Sequence, residues 1–156
     1  MKKAQWATAV VLMILLCAAA ASAKSNFTGD WKMNPAKSEF GPMPAPSSIT
    51  QKITHNDPEL KVTSTQVSER GEFTTELAYT TDGKECINKM RMGESKSTLK
   101  WDGDALVIDA KLDFQGNPVT LTDTWTLSPD GKTLTVKRHF SSQMGEGEST
   151  IVMEKQ

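Results

Sequence analysis

Cysteine is nearly absent. Two stand in 156 residues, Cys17 and Cys86, and Cys17 lies in an apolar N-terminal run. The remainder holds one thiol, which cannot close an internal disulfide, so the fold must be held by its core. The bland role for Cys86 is a small apolar strand residue. Histidine is as scarce, with only His55 and His139. Nucleophilic catalysis needs a nucleophile, a base and an orienter, and zinc needs three or four N, O or S ligands. Two His and one Cys on different strands supply neither, so no catalytic residue, metal or cofactor is expected and an enzyme ranks last. A Cys86–His55 pair and an axial haem ligand at His55 are the remaining options of that kind. No phosphate-cradling glycine motif occurs. Asp102-Gly103-Asp104 resembles a calcium fragment but lacks the downstream Glu, and a hairpin turn accounts for it. Neither charge dominates, with 18 Lys+Arg against 19 Asp+Glu, so no clustered cation points to nucleic acid.

The chain begins with a basic Lys2-Lys3, an apolar run Ala7–Ala21 and the small residues Ala21-Ser22-Ala23. That order is a signal peptide, with cleavage expected after Ala23. A membrane anchor would need about 20 apolar residues. Lipidation at Cys17 would want a small residue where Leu16 stands. Cleavage leaves residues 24–156, which is 133 residues with a net charge of -3 and Cys86 as the only thiol. No further membrane-spanning segment follows, and export to the periplasm or the extracellular space is expected.

Within 24–156 the reading is all-β and single-domain. Turn signals recur from Asn56-Asp57-Pro58 through Arg70-Gly71, Asp82-Gly83, Asp102-Gly103 and Pro129-Asp130-Gly131 to Met144-Gly145. Gly, Asn and Asp accept the positive φ of tight hairpins. Between them, Thr-, Val- and Ile-rich runs alternate with period two. Ten strands are expected: 27–33, 48–55, 59–68, 72–81, 84–91, 95–101, 105–114, 118–128, 132–141 and 148–154. Only the first connection is long, and its Gly41-Pro42-Met43-Pro44-Ala45-Pro46 favours an extended path. Sequential antiparallel strands protect their edges by closing, so an up-and-down barrel or meander of eight to ten strands is favoured. Eight strands nearly fill their interior, whereas ten leave a cavity.

Parity along the strands assigns the inner face. Leu106, Ile108, Ala110, Leu112 and Phe114 share one side of their strand. With a four-residue loop Pro129–Lys132, Leu127 faces Leu134, Trp125 faces Val136, Asp123 faces Arg138 and Leu121 faces Phe140. One acid then opposes one base on an otherwise apolar face. The pair is either structural, each charge neutralising the other, or a guanidinium fork for a ligand carboxylate. Asp123 argues against the second and favours a ligand with a polar, uncharged head. Gln51, His55, Ser64, Gln66, Thr75, Asn88, Ser95 and Ser97 fall on the same parity, and a mixed apolar and polar lining suits a small-molecule pocket.

Phe27-Thr28-Gly29-Asp30-Trp31-Lys32-Met33, with Ser38-Glu39-Phe40 soon after, resembles the start of calycin barrels. That superfamily comprises lipocalins, fatty-acid-binding proteins and avidins. The likeness is greatest to the fatty-acid-binding branch, which agrees in length and strand number. It implies a lipocalin-like exported domain of bacterial type, with the tryptophan packed against a late-strand arginine; Arg138 would fill that role over Trp31. The sequence departs from the branch in two places. Residues 34–47 are too short and proline-rich for its two-helix lid. Ile151 and Met153 stand where its Arg-x-Tyr carboxylate clamp would be.

The expected function is binding of a small apolar or amphipathic ligand inside the barrel. Trp31, Tyr79, Trp101, Trp125 and Phe140 would supply apolar contact, and Asp123 and Arg138 would set polarity. The alternative is a protein-interaction module, such as a secreted or periplasmic protease inhibitor, with a filled barrel and residues 34–47 or a hairpin rim as its contact surface. An interior cavity separates the two.

Overall fold

A computed structural model describes residues 23–91, 93–114 and 116–156. The expected signal peptide, apart from Ala23, lies outside the described residues. No helix among these residues is long and apolar enough to cross a membrane. The chain forms ten antiparallel strands: β1 (Gly29–Met33), β2 (Ser48–Asn56), β3 (Glu59–Ser68), β4 (Gly71–Thr80), β5 (Glu85–Met90), β6 (Gly93–Asp102), β7 (Ala105–Phe114), β8 (Asn117–Leu127), β9 (Thr133–Ser142) and β10 (Gly145–Lys155). They form one sheet in the order β4-β3-β2-β1-β10-β9-β8-β7-β6-β5. Consecutive strands are neighbours except β4 and β5, and β1 meets β10 with Trp31 opposite Lys155. The sheet thus rolls into a nearly closed up-and-down barrel, as the turn spacing and alternation require.

Two-residue turns set most registers: Asn56 pairs Glu59, Ser68 pairs Gly71, Asp102 pairs Ala105 and Ser142 pairs Gly145. Because the side-chain period is two, each pairing commits every residue of both strands to a face. The β8–β9 register is the one the sequence predicts, with Asp123 opposite Arg138 and Trp125 opposite Val136. Most strand ends fall within one residue of expectation, and the starts of β1, β6 and β10 differ by more. β1 starts at Gly29, because Phe27 leaves the ladder to turn inward and is fully buried. β10 starts three residues early, because its tight hairpin carries the ladder to Gly145.

The two ends of the barrel are unlike. At the end where β1 begins, Phe27 lies across the opening. Its ring stacks near His55 (5.7 Å) and Trp101 (6.1 Å) and meets the edge of Trp125 (5.5 Å). Leu60, Leu99, Leu106 and Leu134 are completely buried in the same core. Trp31 holds this plug by donating its indole N–H to the Phe27 carbonyl at 2.9 Å. Outside the plug, Asp57 in the β2–β3 turn accepts from Thr81 Oγ1 and from Trp101 Nε1 (3.3 Å) and pairs with Lys24 (2.9 Å). One carboxylate therefore ties the β2–β3 turn to the segment before β1, the β4–β5 loop and the end of β6.

At the opposite end, residues 34–47 form no lid. Their only regular element is a single 3₁₀ turn, Pro35–Lys37, capped by the Asn34 side chain accepting from Ala36 N. β1 is five residues long between neighbours of nine and eleven. The segment covers the stretch of β10 that β1 leaves unpaired, with Asn34 N donating to Val152 O and Glu39 bridging to Thr150. It follows the wall and leaves the mouth open.

Closure is also incomplete. β4 and β5 are the two ends of the sheet order and share no ladder. The Asn88 side chain spans them, accepting from Ala78 N (2.8 Å) and donating to Ala78 O (3.1 Å), and Cys86 Sγ accepts from Thr80 N (3.2 Å). Toward the mouth a groove runs between Thr74–Glu76 and Lys89–Arg91, where Arg91 sits 4.9 Å from the Phe73 ring centre.

His55 gives the plug a pH dependence. Its Nδ1 accepts from Phe27 N at 3.3 Å, a bond only the neutral ring can make. Burial lowers its pKa below 6.5, and nearby Lys24 adds to this, while Asp57, 3.8 Å from Nε2, opposes without prevailing. A base with a depressed folded pKa contributes its full stability above the unfolded value, and loses it as pH falls from 6.5 toward the folded value. Denaturation midpoints are therefore expected to fall between about pH 8 and pH 5.5, before most carboxylates titrate. His55→Gln should flatten that decline; an unchanged slope would place the effect elsewhere.

Candidate functional site

Above the plug the barrel encloses a cavity of about 390 Å³, lined by 18 residues from β2 to β9. Its apolar wall includes Val62, Leu77, Ile108 and Leu121, with Phe73, Met90, Leu112 and Phe114 nearer the mouth. Gln51, Ser64, Gln66, Thr75 and Ser95 interrupt that wall. All sit at the inward parity their turns dictate. Ten strands set the ring's girth, and Ala110, Ser64 and Ser95 are too small to reach across it.

Asp123 and Arg138 face each other across the β8–β9 ladder and bond at two points. Arg138 Nε donates to Asp123 Oδ1 and Nη2 to Oδ2, both at 2.7 Å. Planar two-point pairing of this kind is the strong form of the interaction. Burial works against the guanidinium charge, but the hydrogen bonds and charge of Asp123 outweigh it and raise the Arg138 pKa above its ordinary value. The free edge of Arg138 faces the cavity, so 30% of its side chain is accessible against 11% for Asp123.

Three further polar groups lie on this wall. Tyr79, half-buried, has its phenol pushed up to about 12 by burial, with the Asp123 charge adding to it. It is therefore a neutral donor. Trp125 is buried, and its Nε1 has no hydrogen-bond partner within the protein. Gln51 donates from Nε2 to Ser64 Oγ at 3.5 Å, leaving its Oε1 buried and unpartnered. Orphaned buried polar atoms are uncommon and usually await a water or a ligand.

Of the seven residues the sequence points to, the structure gathers Tyr79, Asp123, Trp125 and Arg138 on the cavity wall. It places the other three elsewhere. Trp31 is buried beside the plug. Trp101 stacks against Phe27 and reaches out to Asp57. Phe140 packs over Gly147, where a Cβ would lie 2.7 Å from its ring, and beside Pro42. The cation over Trp31 is Lys155, at 5.4 Å, rather than Arg138, which is held by Asp123. Lys155 reaches there because Gly29 has no side chain: a Cβ would stand 2.6 Å from Lys155 Cε. The Gly-x-Trp string is thus a packing device. Phe27 as a plug and Asn88 as a strand bridge escaped the sequence reading. A polar Asn at inward parity on a short strand is the one trace the latter left. Neither His55 nor Cys86 lines the cavity.

No family model matches the chain, and no curated protein matches it in sequence. Solved structures do match in fold. Zebrafish ileal bile acid-binding protein complexed with cholic acid superposes with a TM-score of 0.57 at 17% identity, over 85% of this chain and 100% of that one. An SAHS protein from Ramazzottius varieornatus gives 0.60 at 12% identity over the same shares. A mutant of the fluorescent protein UnaG gives 0.59 at 18%, covering 83% of this chain and 96% of its own. The chain has a calycin-like fold.

Tyr79 is the only tyrosine in the chain, so ultraviolet titration reads it alone. Its ionisation is expected near pH 12; a midpoint near 10 would put the phenol in solvent. Arg138→Met should leave Asp123 buried without its partner. The expected loss, read by urea denaturation, is about 3 kcal/mol, the low end for a broken buried pair because the cavity admits water. A loss below about 1 kcal/mol would mean the pair behaves as a surface ion pair.

Proposed function

We propose that the protein binds a small apolar or amphipathic molecule inside its barrel. The cavity of about 390 Å³ carries this reading. It lies within the size range of ligand sites and combines an apolar wall with a few convergent polar groups. A filled barrel, which the protein-interaction reading requires, is not what the interior presents. The open mouth gives access, and the plug gives the site a floor. The fold likeness adds support, since one neighbour of the same fold holds cholic acid. The role is binding rather than turnover: Tyr79, Gln51, Trp125 and the Asp123–Arg138 pair can orient a guest, and neither the thiol nor a histidine stands beside it. We further propose that the chain is exported, with Met1–Ala23 removed, on the order of charges and small residues in that segment.

Native mass spectrometry of protein purified from the envelope or medium should show mature chains beginning at Lys24, a fraction of them carrying a small-molecule mass. A panel of lipids should then quench tryptophan fluorescence, since Trp125 lines the cavity. Ala110→Phe, which adds a ring to the cavity wall, should weaken that response about tenfold or more while preserving the thermal transition. No adduct and no response across the panel would sink the binding reading.

A further inference from the structure

The charge of the cavity is unusual for a site that would hold an acid. Of its 18 lining residues only Asp123 and Arg138 carry formal charge, and they cancel in a two-point bond. Every other polar group on the wall is an amide, a hydroxyl or an indole. The phenol of Tyr79 stays protonated far above neutral pH. An anionic head placed here would meet Asp123 beside every donor Arg138 offers, and it would add one unneutralised charge to a desolvated space.

The orphaned atoms specify more. A recess of about 80 Å³ adjoins the cavity, and Gln51, Asp123, Trp125 and Arg138 line both spaces. Two of these residues carry buried groups with no partner, a donor at Trp125 Nε1 and an acceptor at Gln51 Oε1. Arg138 uses Nε and Nη2 on Asp123, and its Nη1 keeps two further N–H donors. Donor and acceptor together ask for a group that is both. A hydroxyl accepts from the indole or guanidinium and donates to the Gln51 oxygen. A carboxylate only accepts, and leaves the Gln51 oxygen unmatched and repelled.

We infer that the cavity selects an uncharged amphiphile bearing a hydroxyl on its head, seated in the recess between Gln51, Trp125 and the Asp123–Arg138 pair. Its apolar body runs toward Phe73, Leu112 and Phe114 at the mouth. This rests on reading the cavity as a ligand site, and it excludes free fatty acids as the preferred cargo.

Calorimetric titration with lauryl alcohol, monolaurin and lauric acid at about pH 8 separates the cases, because the three share a chain and only the acid is ionised. The alcohol and monolaurin are expected to bind at least about tenfold more tightly than laurate. Trp125→Phe keeps the ring shape and removes the indole donor, and should weaken the alcohol about fivefold. Asp123→Asn releases the Arg138 charge and should reverse the preference in favour of laurate. Should that variant not fold, the wild-type preference together with Trp125→Phe decides. Laurate binding wild type as tightly as the alcohol would overturn the selectivity and leave the binding site standing. An alcohol affinity untouched by Trp125→Phe would overturn the placement of the head. No binding by any of the three would remove both this inference and the site beneath it.

Discussion

The girth of the sheet governs this molecule. Ten strands in a ring place opposite walls too far apart for inward side chains to meet along the whole length, so something other than strand residues must fill one end. Phe27, two residues before β1, does so, and its place depends on the hydrogen bond from Trp31 Nε1 to the Phe27 carbonyl. That bond acts with the one from Phe27 N to His55 Nδ1 and with the Thr28 hydroxyl on the His55 backbone; without them the segment before β1 would be free to leave the opening. The leucines of the floor would then face water, at about 1.5–3 kcal/mol each if fully exposed. Gly29 completes the arrangement by letting Lys155 cross the backbone and cover the outer face of the indole. Three residues of a short string thus set where the solid part of the barrel ends and the hollow part begins.

The hollow part has a different logic. Its wall is mostly apolar, with a few polar groups gathered around one ion pair. That pair, Asp123–Arg138, has two roles. As structure, it fixes the β8–β9 register with two short bonds. As chemistry, it offers guanidinium N–H donors without offering net charge. A lone arginine at this depth would be a trap for anions, and a lone aspartate would neutralise itself by taking up a proton. Held together, they leave the interior with dipoles alone.

Much of this was legible in the sequence. Within hairpins the information is local: Pro129-Asp130-Gly131-Lys132 sets the loop, the loop sets the register, and the register places Asp123 opposite Arg138. Strand number, parity and the polar character of Gln51 and Ser64 follow in the same way. What was hidden depends on pairings remote in the chain. Trp31 meets Lys155 across 124 positions, and no turn chemistry links them. The resemblance therefore pointed to Arg138 as the cation over Trp31, when the chain end supplies a different one. The plug was hidden for a related reason. Phe27 continues the alternation of β1 by type, and only the closed barrel shows that it has left the ladder.

The seam between β4 and β5 makes the barrel a split ring. A ring closed all round can widen only by breaking ladder hydrogen bonds or by shearing every strand. A split one changes girth by parting at the join. Here the join is the Asn88 amide on Ala78, the Cys86 sulfur and Arg91 over Phe73. Hydrogen bonds of this kind are worth about 0.5–1.5 kcal/mol each once water competes for the same groups. The nine strand pairings keep their ladders throughout. The capacity of the interior is therefore set less by its resting volume than by how little it takes to spread one line of side chains. That line runs along the wall from the floor to the mouth, so the barrel has one lateral line of weakness besides its open end.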